Sequence, residues 1–193
     1  MTDAGPVEFT IVIPVKGTSA AKSRMGTGDN SVLALAMALD TVEAALQVAP
    51  VVVVTADAEP FRALGARVIL DPGMGLNGAI DAALEHVSGP TAVLLGDHPA
   101  LRPAELADAL GLASGYTRAL VADADGEGSA LTTSLGAHEL RFGADSRARH
   151  IAEGYVELAG DWPGLRRDVD TVEQLAELNY LGARTRALRL VER

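Results

Sequence analysis

The residues with the clearest chemical potential stand at the end of an apolar run. Residues 92–95 (AVLL) have the length and the Val/Leu character of a strand that is buried on both faces, and Gly96 and Asp97 follow them directly. In open α/β sheets, ligands bind beyond the carboxyl ends of the parallel strands. A carboxylate at that place can hold a metal ion, so we expect Asp97 to bind one.

Two further carboxylates, Asp168 and Asp170, stand at another predicted strand end. Thr171 and Gln174 come next and match a capping box, so a structural role at the start of a helix stays open for Asp170. Asp168 has no such role. The chain has no cysteine, which excludes thiolate metal sites and leaves oxygen or imidazole ligands. Asp97 and Asp168 together would form an oxygen site suited to magnesium.

The two lysines of the chain, Lys16 and Lys22, lie six positions apart although the chain has 16 basic residues. Their segment, 16–28 (KGTSAAKSRMGTG), also carries Arg24, has no acidic residue and follows the first predicted strand. We interpret it as a loop that binds phosphates through backbone amides and cationic side chains. It matches neither the P-loop pattern nor G-x-G-x-x-G. Chance clustering and a merely solvated loop remain the alternatives.

Two Gly-containing segments are further candidates. Asn77, in DPGMGLNG (71–78), could cap the following helix or read a nucleobase edge, and residue type alone favours the cap. In LRFGADSRARH (140–150), Gly143 allows close backbone approach and Ser146 can start a short helix, which is a candidate anion site. The alternative there is that Ser146 caps the helix and the arginines are solvated. His150 is left unassigned.

The elements that must position these residues alternate along the chain, which predicts right-handed crossovers and a mostly parallel sheet. At 193 residues we expect one domain, with a flexible stretch at 1–8 and a peripheral helical tail at 183–193. Strands are predicted at 9–15, 51–55, 67–70, 92–95, 118–122, 129–135 and 155–158; helices are predicted from about 29 to 48, at 60–64, 78–87 and 103–113, near 145 and at 171–181.

The charge and the apolar pattern limit the partners. The net charge of −10 argues against binding to nucleic acid, and no apolar run approaches a membrane span. The first residues have neither the basic charge nor the apolar run of a signal peptide. We therefore expect a cytoplasmic protein with neither nucleic acid nor membrane as a partner.

Taken in order, these motifs resemble the guanylyltransferases of deazaflavin coenzyme F-420 biosynthesis. The resemblance covers roughly residues 9 to 182. It implies a Rossmann-like, three-layer α/β/α nucleotidyltransferase fold of the molybdenum-cofactor-guanylyltransferase type. GD-x-P occurs throughout the superfamily, whereas the combination of AAKSR, RFG-x-DS and DVDT is more specific. The motifs are PVK (14–16), AAKSR (20–24), LN-x-A (76–79), GD-x-P-A-L (96–101), RFG-x-DS-x-x-RH (141–150) and DVDT (168–171).

The family joins GMP from GTP to a phosphorylated three-carbon acid and releases pyrophosphate. The acceptor is 2-phospho-L-lactate in archaeal members and phosphoenolpyruvate in the actinobacterial branch; 3-phosphoglycerate is a further candidate here. The resemblance implies magnesium and the hand-over of a labile product to the next pathway enzyme, and it leaves open whether the chain is a monomer or a homodimer. By position, the resemblance implies the following contacts: the triphosphate with Lys16, Lys22 and Arg24; the guanine with Asn77 and Gly78; magnesium with Asp97, Asp168 and Asp170; and the acceptor with Ser129, Gly143 and Ser146.

Two departures from the family pattern stand out. His98 occupies a position that is usually hydrophobic, and the segment after Arg24 is shorter than in the family. They keep open a nucleotide-binding protein with weakened catalysis. A nucleotidyltransferase for a sugar phosphate or molybdopterin is the other alternative, although PVKGTSAAKSR lacks the Gly-rich opening of those relatives.

Overall fold

A computed structural model describes residues 7–16, 30–178 and 185–191. Its seven strands form one sheet in the order β3-β2-β1-β4-β6-β5-β7. The strands are β1 (Thr10–Pro14), β2 (Val51–Thr55), β3 (Arg67–Leu70), β4 (Thr91–Leu94), β5 (Arg118–Ala122), β6 (Ser129–Ser134) and β7 (Val156–Glu157). The helices are α1 (Asn30–Leu46), α2 (Glu59–Ala63), α3 (Gly75–Leu84), α4 (Pro103–Ala113), α5 (Ser146–Ala152), α6 (Pro163–Arg166), α7 (Val172–Glu177) and α8 (Arg186–Val191).

The sheet is buried on both faces because successive side chains of its central strands point into two different apolar clusters. In β1, Ile11 and Ile13 pack with residues of α1 and α4, whereas Val12 packs with Ile80 of α3 on the opposite face. Helices therefore cover both faces of the sheet. The predicted three-layer α/β/α fold is confirmed.

Most neighbouring strands are parallel, and β6 is the exception. The pairs β1–β2, β1–β4, β2–β3 and β5–β7 run parallel, while β6 lies antiparallel between β4 and β5. As a result, the first residue of β6 lies at the edge of the sheet where β1, β4 and β5 end.

The start of α3 differs from the sequence-based prediction. The helix begins at Gly75, three residues earlier than expected, and its N-cap, Met74, makes no side-chain capping bond. Asn77 is therefore inside the helix, and the prediction that it caps this helix is wrong. The carboxylate of Asp71 accepts a hydrogen bond from the amide of Gly73 at 2.8 Å, a local turn that brings the chain into the helix earlier.

The C-terminal helix α8 docks on α1. The carboxylate of Asp40 accepts hydrogen bonds from the backbone amides of Arg186 (3.1 Å) and Ala187 (3.0 Å), and Ala187 is fully buried. Of the predicted flexible stretch 1–8, residues 1–6 lie outside the described residues. In the described part of the chain, no helix is both long and apolar enough to span a membrane.

Candidate active site

The strand registers bring the predicted site residues to one edge of the sheet. β1 and β4 pair Thr10 with Thr91, and continuing this parallel register places Lys16 level with Asp97. β4 and β6 pair in antiparallel register, and its continuation places Ser129 level with Gly96. A cation, a carboxylate and a hydroxyl thus converge from three neighbouring strands.

The loop that carries Asp97 is held against β1 and α1. A Cβ atom at Gly96 would lie 3.1 Å from Cγ2 of Val15 and 3.3 Å from the carbonyl oxygen of Pro14, so the loop can turn here because residue 96 has no side chain. From α1, the hydroxyl of Thr41 accepts a hydrogen bond from the amide of His98 at 3.1 Å. Both contacts fix the backbone on either side of Asp97.

Asp168 lies beside this loop. The amide of Val169 donates a hydrogen bond to the carbonyl oxygen of Asp97 at 3.0 Å, which brings the two aspartates together. Burial raises the pKa of Asp168, the negative charge of Asp97 raises it further, and His98 acts in the opposite direction. A cation bound between the two carboxylates would relieve the repulsion that Asp168 experiences from Asp97.

One oxygen of this acidic pair makes no hydrogen bond within the described part of the chain. Among the described residues, Oδ1 of Asp97 is buried without a hydrogen bond; it lies 3.5 Å from Nε2 of His98, whose ring nitrogens also lack hydrogen bonds there. The donor set of Asp97 and Asp168 fits a hard divalent cation. The described residues contain no cluster of three or more possible ligands, so water or substrate phosphates would complete the coordination.

Asp168 is positioned by α6, which is anchored to α4. The amide of Leu165 donates to Oε2 of the buried Glu105 at 2.8 Å, and Nε1 of Trp162 donates to Oδ2 of Asp108 at 2.8 Å. Gly164 packs so closely on the carbonyl group of Ala100 that a Cβ atom would collide with it. These contacts fix the position of α6 and therefore the start of the segment that carries Asp168.

Asp170 occupies a different environment. Its side chain is exposed, and its amide donates to Oε1 of Gln174 at 2.8 Å. The predicted capping box is confirmed, because Thr171 accepts from the amide of Gln174 and Gln174 accepts from the amide of Thr171, both at 3.2 Å.

Ser129 and Ser146 are joined directly. The amide of Ser129 donates to Oγ of Ser146 at 2.9 Å, and both side chains are almost fully buried. Helix α5 begins at Ser146 with Asp145, in a left-handed conformation, as its N-cap and with no side-chain cap. The alternative that Ser146 caps its own helix is therefore wrong, because its hydroxyl serves β6 instead.

Asn77 links α3 to the segment before α5. Its Oδ1 accepts from the amide of Phe142 and its Nδ2 donates to the carbonyl oxygen of Phe142, both at 3.1 Å. Met74 lies one turn before Gly78, and a Cβ atom built on Gly78 would be 2.6 Å from the Cβ atom of Met74. Gly143, adjacent to Phe142, has a φ of 125° that favours glycine.

The structure therefore brings Lys16, Asp97, Asp168 and Ser129 to one edge, with Ser146 bonded to Ser129; Lys16 is exposed there. Lys22 and Arg24, together with the shortened segment after Arg24, lie outside the described residues.

Sequence reasoning missed the supporting residues Thr41, Glu105 and Asp108. Thr41 and Asp108 carry no signal in the sequence. Glu105, three residues into a predicted helix, looks like an ordinary acidic residue of a first helical turn, although it is buried.

Solved structures share this architecture. The chain superposes with a TM-score of 0.70 and 20% identity on a structure from Desulfovibrio desulfuricans that is provisionally assigned as a nucleotide-diphospho-sugar transferase, covering 96% of this chain and 94% of the other. It superposes with a TM-score of 0.59 and 24% identity on the manganese complex of Rv0371c from Mycobacterium tuberculosis, covering 89% and 97%. At these identities the likeness shows the fold alone.

Sequence relatives are more informative. A phosphoenolpyruvate guanylyltransferase of Streptomyces coelicolor is 46% identical, with 97% of each chain covered. One of Mycolicibacterium smegmatis is 44% identical, with 91% of this chain and 86% of the other covered. The family model described as "Guanylyl transferase CofC like" matches residues 9–190. The resemblance predicted from the motifs is confirmed: the chain belongs to the CofC-like guanylyl transferase family and is a nucleotidyltransferase.

Proposed function

We propose that the chain transfers GMP from GTP to phosphoenolpyruvate, releases pyrophosphate, and uses magnesium at Asp97 and Asp168. The observation that carries the proposal is the acidic pair. Burial and the charge of Asp97 raise the pKa of Asp168, and Oδ1 of Asp97 makes no hydrogen bond to the described residues. The names of the relatives support phosphoenolpyruvate as the acceptor. The manganese in one structural neighbour supports the use of a divalent cation.

In this reaction a phosphate oxygen of the acceptor attacks the α-phosphorus of GTP. The bond from that phosphorus to the oxygen bridging the α- and β-phosphates breaks, and the electron pair leaves with pyrophosphate. A bound divalent cation supplies charge neutralisation for the phosphates. We assign Lys16, which lies level with Asp97 at the sheet edge, to the stabilisation of the leaving group. We assign the same role to Lys22 and Arg24 from the family pattern.

The remaining assignments divide the site between the two substrates. We assign Asn77 and Gly78 to the side of the guanine, and Ser129, Gly143 and Ser146 to the phosphate and carboxylate of the acceptor. Asp170, whose side chain is exposed just before α7, is assigned to the metal from the family pattern alone. We further propose that the chain is one catalytic domain that acts in the cytoplasm in coenzyme F-420 biosynthesis.

Pyrophosphate release tests the proposal directly. The protein is incubated with GTP, Mg²⁺ and, separately, phosphoenolpyruvate, 2-phospho-L-lactate or 3-phosphoglycerate, and the product mass is measured. We expect turnover with phosphoenolpyruvate. Binding of GTP without pyrophosphate release from any of the three would reject the enzymatic proposal and favour a nucleotide-binding protein.

The metal assignment has its own test. Asp97→Asn should lower kcat by about 10³-fold, because the loss of a ligand removes several kcal/mol of transition-state stabilisation. Asp81→Asn, an exposed position on α3, is the matched control and should keep wild-type activity. Circular dichroism checks that both variants are folded, and near-normal activity of a folded Asp97→Asn would remove Asp97 from the mechanism.

A further inference from the structure

A buried histidine beside the proposed acceptor site has a defined proton position. His150 of α5 is fully buried; its Nε2 accepts a hydrogen bond from the amide of Arg141 at 3.0 Å, and its Nδ1 lies 2.9 Å from Oγ of Ser129. An amide can only donate, so Nε2 must carry the lone pair. In the neutral ring the proton is then on Nδ1, and Nδ1 donates to Ser129.

The ring is also held in orientation. The ring of Phe142 packs edge-on against the ring of His150, with the ring centroids 4.9 Å apart. The ring of Tyr155 is tilted relative to that of His150, with the centroids 5.0 Å apart. Burial lowers the pKa of His150 to about 4, so the ring is neutral near pH 7. His150 therefore presents one N–H donor in one direction, with no positive charge of its own.

This hydrogen bond determines what the Ser129 hydroxyl can do. A hydroxyl that accepts from His150 still has one proton to donate. In the described part of the chain, His150 is the one side chain that makes a hydrogen bond with Oγ of Ser129. The same holds for Ser146, whose Oγ accepts from the amide of Ser129. Both hydroxyls receive hydrogen bonds from the protein and keep their own protons for a group that can only accept.

An anion is a group of that kind, and the segment just before Ser146 is open at Gly143. Gly143 is exposed, and a Cβ atom built on it would meet nothing within 4 Å. Ser129 lies level with Gly96, one residue from Asp97, so an anion bound by the two hydroxyls would stand next to the proposed cation. A phosphate or carboxylate oxygen meets both requirements.

We propose that His150 is a positioning residue for the acceptor: its Nδ1–H donates to Ser129 and thereby directs the Ser129 hydroxyl proton to a phosphate or carboxylate oxygen of phosphoenolpyruvate. This rests on the proposed function, because it assigns the anion to the acceptor and not to GTP. His150 touches neither substrate and acts through Ser129.

Two substitutions separate this role from simple packing. In His150→Asn, the side-chain amide nitrogen can replace Nδ1 and donate to Ser129, while the acceptor for Arg141 is lost. In His150→Gln, the amide oxygen can replace Nε2 and accept from Arg141, while the donor to Ser129 is lost. Each variant keeps one of the two hydrogen bonds, so each serves as the control for the other, and unfolding by urea reports the structural cost of both.

The expected result is a split between the two substrates. His150→Gln should raise the KM for phosphoenolpyruvate about tenfold and leave the KM for GTP within about twofold, whereas His150→Asn should keep both near wild type. Ser129→Ala should match His150→Gln, and the double variant should be no worse than either, because both changes remove the same hydroxyl donor. Equal effects of Asn and Gln, a parallel rise in the KM for GTP, or additive losses would overturn the proposal.

Calorimetric titration of phosphoenolpyruvate, with Mg²⁺ and a non-hydrolysable GTP analogue present, repeats the comparison without turnover. If the wild-type protein binds phosphoenolpyruvate but releases no pyrophosphate, the proposed function fails while the order of Kd values among the variants still decides the role of His150. If the wild-type protein does not bind phosphoenolpyruvate, the positioning role is rejected as well.

Discussion

Acid should destabilise this protein through two histidines that the fold keeps neutral. Burial lowers the pKa of His138 and of His150 from 6.5 to about 4. His138 is held by Oγ1 of Thr91, 2.9 Å from its Nε2, and by the hydroxyl of Tyr155, 3.2 Å from its Nδ1. In both places the cost of burying a positive charge outweighs the hydrogen bonds that the ring makes.

The direction and the magnitude of this pH effect on stability follow from the linkage between proton binding and folding. Below pH 6.5 the unfolded chain takes up a proton at each histidine while the folded chain does not, so stability is fully present above pH 6.5 and is lost as the pH falls towards 4. The difference of about 2.5 pKa units corresponds to about 3 kcal/mol per histidine at the limit. At pH 5 each histidine should lower the free energy of unfolding by about 2 kcal/mol. The two together should lower it by about 4 kcal/mol, which is a large part of a typical free energy of unfolding.

Urea unfolding followed by circular dichroism at pH 7 and pH 5 measures this cost. His138→Gln and His150→Asn should each reduce the pH dependence of the free energy of unfolding by about 2 kcal/mol, whatever they do to the stability at pH 7. His86→Gln, a substitution of an exposed histidine, is the matched control. If both variants lose as much stability between pH 7 and pH 5 as the wild type, or if NMR titration finds both pKa values near 6.5, the reasoning is refuted.

Two backbone anchors near the site give further predictions. Thr41→Val removes the hydrogen-bond acceptor for the amide of His98, so we expect a loss of about 1–3 kcal/mol in the free energy of unfolding and a lower kcat. Thr41→Ser should recover both. An unchanged kcat in Thr41→Val would show that this bond does not hold the loop of Asp97 for the reaction. Gly164→Ala drives a methyl group into the carbonyl group of Ala100 and should lower the free energy of unfolding in urea by about 1–3 kcal/mol. The control, Gly111→Ala, adds a methyl group in open space on α4 and should be neutral or stabilising. Equal effects of the two substitutions would contradict the close packing at Gly164.

Much of the fold could be predicted from the sequence because its strands are short apolar runs with clear ends. Val51–Thr55 is one such run, preceded by Pro50, and it is a central strand with every residue buried. The start of α3 could not be predicted in this way. Asn77 is a good capping residue by type, but its partner is the backbone of Phe142, 65 positions later in the chain, and local preferences carry no information about such a contact.

The candidate site shows the same division. Asp97 and Asp168 could be singled out because carboxylates at strand ends of an α/β sheet are unusual enough to suggest chemistry. Thr41 and Glu105 could not, since a threonine and a glutamate within a helix are ordinary until the packing brings them to a distant backbone amide. The supporting shell of this site depends on tertiary contacts, whereas the residues proposed to meet the ligand depend mainly on position within the fold.

The antiparallel strand β6 has a consequence for how enzymes of this fold can change their acceptor. Because β6 runs against β4 and β5, the turn 123–128 that joins β5 to β6 lies at the sheet edge that carries Asp97 and Ser129. There the carboxylate of Asp123 accepts hydrogen bonds from the amides of Glu127 and Gly128. Residues inserted into this turn would enlarge the wall beside Ser129 and leave every strand pairing in place. For the proposed acceptor site, this hairpin is therefore the position at which inserted residues would change specificity.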